Sequence, residues 1–195
     1  LPVLRCDPIE QFWNCRNGML NWRTGELLPH DPEYMSTVQF PWDWDPDATC
    51  PEFDRFLSEV LSPDFVALAW QMIAYLLYSG NPRQVAFMLF GTGSNGKGTL
   101  MRVLHALLGG ENYSTASLTS INKNRFSTIT LFGKIANLAG DIDGTYQEDT
   151  APFKTITGED MLDGEHKYGA RIQFRSWAMP VFSANKVPPS SDTGQ

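Results

Sequence analysis

The sequence predicts an α/β fold in which parallel strands form a sheet with helices on both faces. Three apolar runs, 84–90, 134–143 and 177–185, carry this prediction. The first run, QVAFMLF, is continuous, as expected for a strand buried on both faces of a parallel sheet. A glycine-rich loop follows it, and then a helical pattern over 97–108 that ends before two glycines. Ligands of such sheets lie at the carboxyl ends of the strands, so the loop and the ends of the other two runs form one candidate site.

The glycine-rich loop, GTGSNGKGT, is close to the phosphate-binding pattern G-x-x-x-x-G-K-[ST]. Gly98 stands where the pattern has a hydroxyl residue, and the hydroxyl arrives one position later, on Thr99. Glycines let the backbone N–H groups turn inward, the following helix favours an anion, and Lys97 supplies a charge between the β- and γ-phosphates. A glycine turn that only caps a helix is the alternative. The residues expected to bind a nucleotide are Gly91, Thr92, Gly93, Ser94, Asn95, Gly96, Lys97, Gly98 and Thr99.

Polar residues end the other two apolar runs and supply the remaining chemistry. Asp141 and Asp143 are two apart, so in an extended strand they share a face. We expect Thr99 and Asp141 to serve a magnesium ion, Asp141 through water, and Asp143 to orient the attacking water or reinforce the metal field. Because Gly98 removes the direct hydroxyl ligand, our hypothesis is that Thr99 also binds the α-phosphate. Asn185 could hydrogen-bond the γ-phosphate or the water; an acidic turn and ordinary turn chemistry are the alternatives for these positions.

A short basic and aromatic tip lies between these two strands, in GEHKYGARIQF. Its residues His166, Lys167 and Tyr168 suit a loop that presents a cation and a ring to single-stranded DNA. A solvated hairpin tip is the other interpretation.

The first part of the chain differs in composition from the second. Residues 1–80 carry a net charge of −8 and residues 81–195 a net charge of +1, so phosphate contacts are expected in the second part. We predict a small α+β segment over 1–80, with short strands and hairpins at 17–33 and helices at Pro51–Leu61 and Pro63–Ser79, the second of them buried. The three cysteines do not suggest a disulfide framework or a zinc site, and no segment suggests export or a membrane span.

The order of four segments resembles a known family. They are GTGSNGKGT, LFGKIANLAGDID, FKTITGEDMLDGEHKYGARIQF and MPVFSANKVPPSSDTG, and together they are similar to the core of phage- and plasmid-type primase-helicases of helicase superfamily 3. The leader NGMLNWRTGELLPHDPEYMST is similar to the segment that precedes the ATPase in the same proteins.

This resemblance implies an AAA+-like P-loop NTPase that uses ATP and Mg²⁺ to move along single-stranded DNA. It also implies a homo-oligomer, usually a hexameric ring, in the cytoplasm of a bacterial or phage-infected cell. By position, 91–99 is the Walker A loop, Asp141 with Asp143 is the Walker B motif, and Asn185 is the polar sensor. The segment 154–167 is the motif that leads into the DNA-contacting hairpin.

Two departures from the family pattern affect the assignment. Ile142 separates the two Walker B acids, which are usually adjacent. The family's arginine finger lies after the sensor strand, whereas Arg171 and Arg175 precede it, so residues 81–195 are expected to be an ATPase core truncated at its C-terminal end. A P-loop kinase for a small molecule and a nucleotide-binding assembly fragment without activity remain as alternatives. The kinase would need an arginine-rich lid, and 111–126 offers only Arg125.

Overall fold

A computed structural model describes residues 11–123, 125–142, 151–166, 169 and 171–185 of the chain. The side chains of residues 122, 123, 125, 141, 142 and 152 are outside this description. Asp143, Lys167 and Tyr168, named above as candidate site residues, lie outside it as well.

A small antiparallel sheet opens the described chain, and the hairpin of its second and third strands confirms the prediction for residues 17–33. Its order is β1-β2-β3, and the strands are β1 (Phe12–Cys15), β2 (Gly18–Asn21) and β3 (Glu26–Leu28). Gly18 is required where β2 begins, because a Cβ there would lie 2.5 Å from the backbone oxygen of Leu28.

Two helices follow, α1 (Pro51–Val60) and α2 (Pro63–Leu76), each with a proline in its first turn. The prediction that the second helix is buried is wrong for one of its faces. Ala69, Met72, Ile73 and Leu76 share the inner face at helical spacing, whereas Phe65, Leu68 and Trp70 are exposed. The helix is apolar nearly all round, but the described residues cover only one side of it.

A four-stranded parallel sheet forms the centre of the fold, in the order β4-β9-β6-β5. The predicted α/β class is therefore confirmed, and the helix after the glycine loop has the predicted bounds. These elements are β4 (Phe87–Phe90), α3 (Lys97–Leu108), β5 (Tyr113–Ser114), β6 (Ala136–Ile142) and β9 (Met179–Ala184). The run 84–90 was expected to be a strand buried on both faces; only its last four residues are a strand, and they are half-buried or exposed. The reason is that β4 is the edge strand of the described sheet, with β9 as its one neighbour there.

Helices cover both faces of this sheet. Side chains of β9 show this, because they pack into cores on opposite faces. Met179 and Val181 pack into a core with α1, α2 and α3, whereas Phe182 and Ala184 pack into a second core on the opposite face. The second core also contains residues of two short helices, α4 (Leu118–Lys123) and α6 (Ala151–Thr157), and of a hairpin formed by β7 (Met161–Glu165) and β8 (Arg171–Arg175). A further short helix, α5 (Arg125–Thr128), leads into a 3-10 helix (Ile129–Leu131) that contributes Ile129 and Leu131 to this core.

The described part of the first 80 residues is joined to the rest by a shared core and by buried or partly buried hydrogen bonds. The Trp42 indole donates to the carbonyl of Leu107 at 2.8 Å. The Asn112 side-chain amide donates to the carbonyls of Gln39 and Leu108, both at 2.7 Å. The boundary at residue 80 stays a prediction, because the packing described here runs across it. Among the described residues, no helix is both long and apolar enough to span a bilayer.

Asn112→Ala is expected to lower the free energy of unfolding by about 1–3 kcal/mol, because it removes both donors from two carbonyls in a buried setting. Urea unfolding followed by circular dichroism measures this change. Glu111→Ala, at the neighbouring exposed position, is the control and should change stability little. Equal stability of the two variants would contradict the role given to Asn112.

Candidate functional site

The carboxyl ends of three parallel strands lie in one row at the edge of the sheet. Ala184 of β9 is paired with Phe90 of β4 on one side and with Ile142 of β6 on the other. The glycine loop starts directly after Phe90, Asn185 directly follows Ala184, and Asp141 directly precedes Ile142. With neighbouring strands about 4.8 Å apart, the end of β6 is roughly 10 Å from the start of the loop. The fold thus brings the backbone of all three predicted segments together.

A register shift falls at the predicted Walker B position. The pairing between β6 and β9 is regular to Ala139 and resumes at Ile142, so Gly140 and Asp141 form an irregularity of the β-bulge kind. Bulges change the direction of a side chain and are frequent beside active sites. Asp143 lies outside the described residues, so the expectation that the two aspartates share a face stays a prediction.

The glycine loop is closed on itself around the lysine. The Lys97 ammonium donates to the backbone oxygen of Gly91 and to Asn95 Oδ1, the latter at 2.9 Å. Asn95 packs so closely over the start of the loop that a Cβ on Gly91 would lie 1.5 Å from its Nδ2. The lysine, the one cation of the loop, is therefore held at its centre. The positive charge of Lys97 is therefore positioned before an anion binds.

The start of α3 provides backbone donors beside this lysine. Gly96 is the N-cap residue and has no side chain to cap the helix, and its φ is +86°. The N–H groups of Lys97, Gly98 and Thr99 belong to the first turn and have no acceptor within the helix. The positive end of the helix dipole adds to them, which is the arrangement that binds phosphate groups.

The hydroxyl of Thr99, one position after the Ser or Thr of the phosphate-binding pattern, already has a hydrogen-bond partner. Thr99 Oγ1 accepts a hydrogen bond from the Arg102 guanidinium at 3.1 Å. Arg102 was missed in the sequence, although its place three residues after Thr99 on a helix was a usable signal. Gly98 is exposed, and a Cβ there would meet no atom within 4 Å, so the shift of the hydroxyl is not forced by lack of space.

Helix α1 lies directly against the loop, a second feature that the sequence did not indicate. A Cβ on Gly96 would lie 3.0 Å from Val60 Cγ1 and 3.2 Å from Phe56 Cε2. The glycine is therefore required both by its positive φ and by the approach of this helix. No local pattern in 51–60 distinguishes these two side chains from ordinary packing residues.

The predicted DNA-contacting tip connects β7 and β8, which pair from Met161 with Arg175 to Glu165 with Arg171. Asp163 accepts from the Arg171 guanidinium and, at 3.1 Å, from Gln173, and these bonds hold the pKa of Asp163 below its usual value. Arg171 is thus occupied within the hairpin. His166 follows β7, and Lys167 and Tyr168 lie outside the described residues. In the part of the chain that the structure describes, no three His, Cys, Asp or Glu residues gather as metal ligands.

Two family matches cover different parts of the chain. Residues 89–195, more than half of the chain, match a family of unknown function (DUF5906). The chain belongs to this family. Residues 6–62 match the family described as D5 N terminal like, so the segment before the sheet is similar to that family. A search of curated proteins finds no match.

Three solved structures are similar to the chain at low sequence identity. The A form apo structure of the NrS-1 C terminal region has a TM-score of 0.60 and 14% identity, covering 94% of this chain and 42% of that one. An apo structure of residues 305–718 of the same region has a TM-score of 0.57 and 14% identity, covering 77% of this chain and 38% of that one. A JCV helicase structure with a bound compound has a TM-score of 0.45 and 13% identity, covering 73% of this chain and 42% of that one.

The chain thus spans about two fifths of the solved chains that it matches. At 14% identity, the likeness to the NrS-1 C terminal region shows the fold alone. The D5 N terminal like match agrees with the resemblance of the leader, and it relates the chain at a coarse level to primase-helicase-type proteins.

Gly96→Ala is expected to lower the free energy of unfolding by about 2 kcal/mol, because an L-residue is strained at this φ and its Cβ meets Val60. Gly98→Ala is the matched control, since its Cβ enters open space within a helix. It should be neutral or stabilising by up to about 1 kcal/mol. Urea unfolding of both variants measures the difference, and a loss in Gly98→Ala as large as in Gly96→Ala would contradict the described loop geometry.

Proposed function

We propose that the chain is the ATP-dependent helicase module of a phage- or plasmid-type primase-helicase of superfamily 3, coupling ATP hydrolysis to movement on single-stranded DNA. The observation that carries the proposal is the row of strand ends at Phe90, Ala184 and Ile142, with the Lys97 loop at one end of it. A lysine inside a closed loop at the start of an uncapped helix fits the phosphates of a nucleotide.

The polar residues in and beside the loop and at the ends of β6 and β9 each have a role in this proposal. Lys97 neutralises the β- and γ-phosphates, and the loop amides from Gly91 to Thr99 hold the phosphate oxygens. Asp141 would hold Mg²⁺ through water together with Thr99, and the ion would supply charge neutralisation at the phosphates. Asp143 orients the attacking water, and Asn185 hydrogen-bonds the γ-phosphate or that water.

The contact with single-stranded DNA is assigned to the tip of the β7–β8 hairpin. His166, Lys167 and Tyr168 combine a cation with rings, and the second part of the chain has a net charge of +1 against −8 in the first. The proposal includes assembly of the full protein into a homo-oligomer, a hexameric ring, in the cytoplasm of a bacterial or phage-infected cell.

Removing the loop cation tests the proposal. Lys97→Ala is expected to weaken binding of Mg·ATP by roughly 10- to 100-fold, because a charge-assisted hydrogen bond to phosphate is lost. Isothermal titration calorimetry measures the affinity, and Lys134→Ala, whose ammonium bonds the Glu111 carbonyl well away from the loop, is the control.

The same preparations give a second measurement, of ATP turnover with and without a single-stranded oligonucleotide. Stimulation by single-stranded DNA supports a helicase. Phosphate transfer to a nucleoside, or equal ATP affinity in Lys97→Ala and wild type, would contradict the proposal.

The displaced hydroxyl gives a separate prediction. If Thr99 binds the α-phosphate, Thr99→Ala should weaken ATP and ADP equally, by roughly tenfold, since both carry that phosphate. Gly98→Ser should keep binding and turnover, because the new side chain enters open space. Competition of ATP and ADP against a fluorescent nucleotide measures both affinities. Loss of turnover in Gly98→Ser together with a silent Thr99→Ala would show that the assignment is wrong.

A further inference from the structure

An apolar cavity of about 430 Å³ lies beside the glycine loop, between α1, α2, β4 and the first turn of α3. Its walls include Phe56, Val60, Phe65, Leu68, Phe90 and Leu100. This volume falls within the range of small-molecule sites, about 300–1,000 Å³. Such sites also have a mainly apolar lining with few polar groups, as this cavity does.

The cavity and the loop share a wall. Asn95, Gly96 and Lys97 line the cavity, and the same three residues form the last part of the loop. Leu100, at the end of the first turn of α3, continues that wall. A molecule with phosphates on the loop amides and on Lys97 would therefore place its next group at the opening of this cavity.

Three large apolar side chains of the cavity wall are exposed to water. Phe65 is 58% exposed, Leu68 46% and Phe90 45%. A contiguous apolar surface of this kind marks a binding site more often than a free surface, because leaving it in water is unfavourable.

We propose that this cavity binds the base of the nucleotide whose phosphates occupy the glycine loop. The inference rests on the proposed function, and it assigns the base to helices α1 and α2, in the part of the chain that precedes the sheet. A nucleobase has flat apolar faces, which Phe65, Leu68 and Val60 can cover. The polar members of the described lining belong to the loop, so α1 and α2 hold the base by contact with its faces.

This placement gives Val60 and Phe56 two functions at once. They pack against Gly96, and they line the cavity on the side of the loop. Binding of a nucleotide would then add contacts between α1 and the loop to the core that the first part of the chain already shares with the sheet.

A comparison of two ligands separates the base from the phosphates. Mg·ATP and Mg·tripolyphosphate are titrated by calorimetry into wild type, Leu68→Trp and Phe65→Ala. Leu68→Trp fills the cavity, and Phe65→Ala removes part of its wall; both residues are exposed, so folding should be preserved. Phe132→Ala, at a partly exposed phenylalanine that packs on Phe174 away from the cavity, is the matched control.

We expect ATP to bind roughly tenfold more tightly than tripolyphosphate, as a base in an apolar pocket contributes at least this much. Leu68→Trp should remove most of that tenfold difference, and Phe65→Ala part of it, while tripolyphosphate binding stays as in wild type. Phe132→Ala should change neither ligand.

The opposite results overturn the inference in distinguishable ways. If both ligands bind with Lys97 dependence but the cavity variants leave ATP unchanged, the phosphates are on the loop and the base is elsewhere. If neither ligand binds wild type, the proposed function fails and the base site fails with it.

Discussion

The candidate site depends on one constraint, the parallel pairing of β9 with two neighbours at the same residue. Ala184 is opposite both Phe90 and Ile142, so the three chain segments leave the sheet at one level. The burial of β9 side chains on both faces of the sheet fixes this register, because a slip by one residue would turn every one of them to the other face. The loop, Asn185 and the end of β6 are brought together by that register, although they are far apart in sequence.

The loop conformation depends on contacts that reach beyond the loop. Gly91 leaves room for the Asn95 side chain, and Gly96 leaves room for α1 while it adopts a positive φ. The lysine then bonds acceptors of its own loop, which positions its charge before any anion arrives. Helix α1, which belongs to the acidic first part of the chain, is thus part of the environment of the site. The region similar to D5 N terminal like proteins is structurally linked to it through this helix.

The errors of the sequence analysis have a common physical origin. Apolar runs were assigned to buried positions, but hydrophobicity reports what a segment can bury and not what covers it. The run 84–90 became a short edge strand, and the helix at Pro63–Leu76 kept Phe65 and Leu68 exposed. Strand β4 and helix α2 both line the cavity beside the loop, so the two wrong predictions concern the same surface. Expectations for Asp143, Lys167 and Tyr168 lie outside the described residues and stay predictions.

The sequence by itself determined the α/β class, the bounds of the helix from Lys97 to Leu108 and the position of the glycine loop between a strand and that helix, because apolar runs, helix spacing and glycines are local signals. Only the tertiary structure decided the strand order, the irregular register at Asp141, the contact of α1 with Gly96 and the cavity beside the loop. These features arise from pairings between segments distant in the chain. Their free energy comes from packing and register, which no stretch of sequence contains alone.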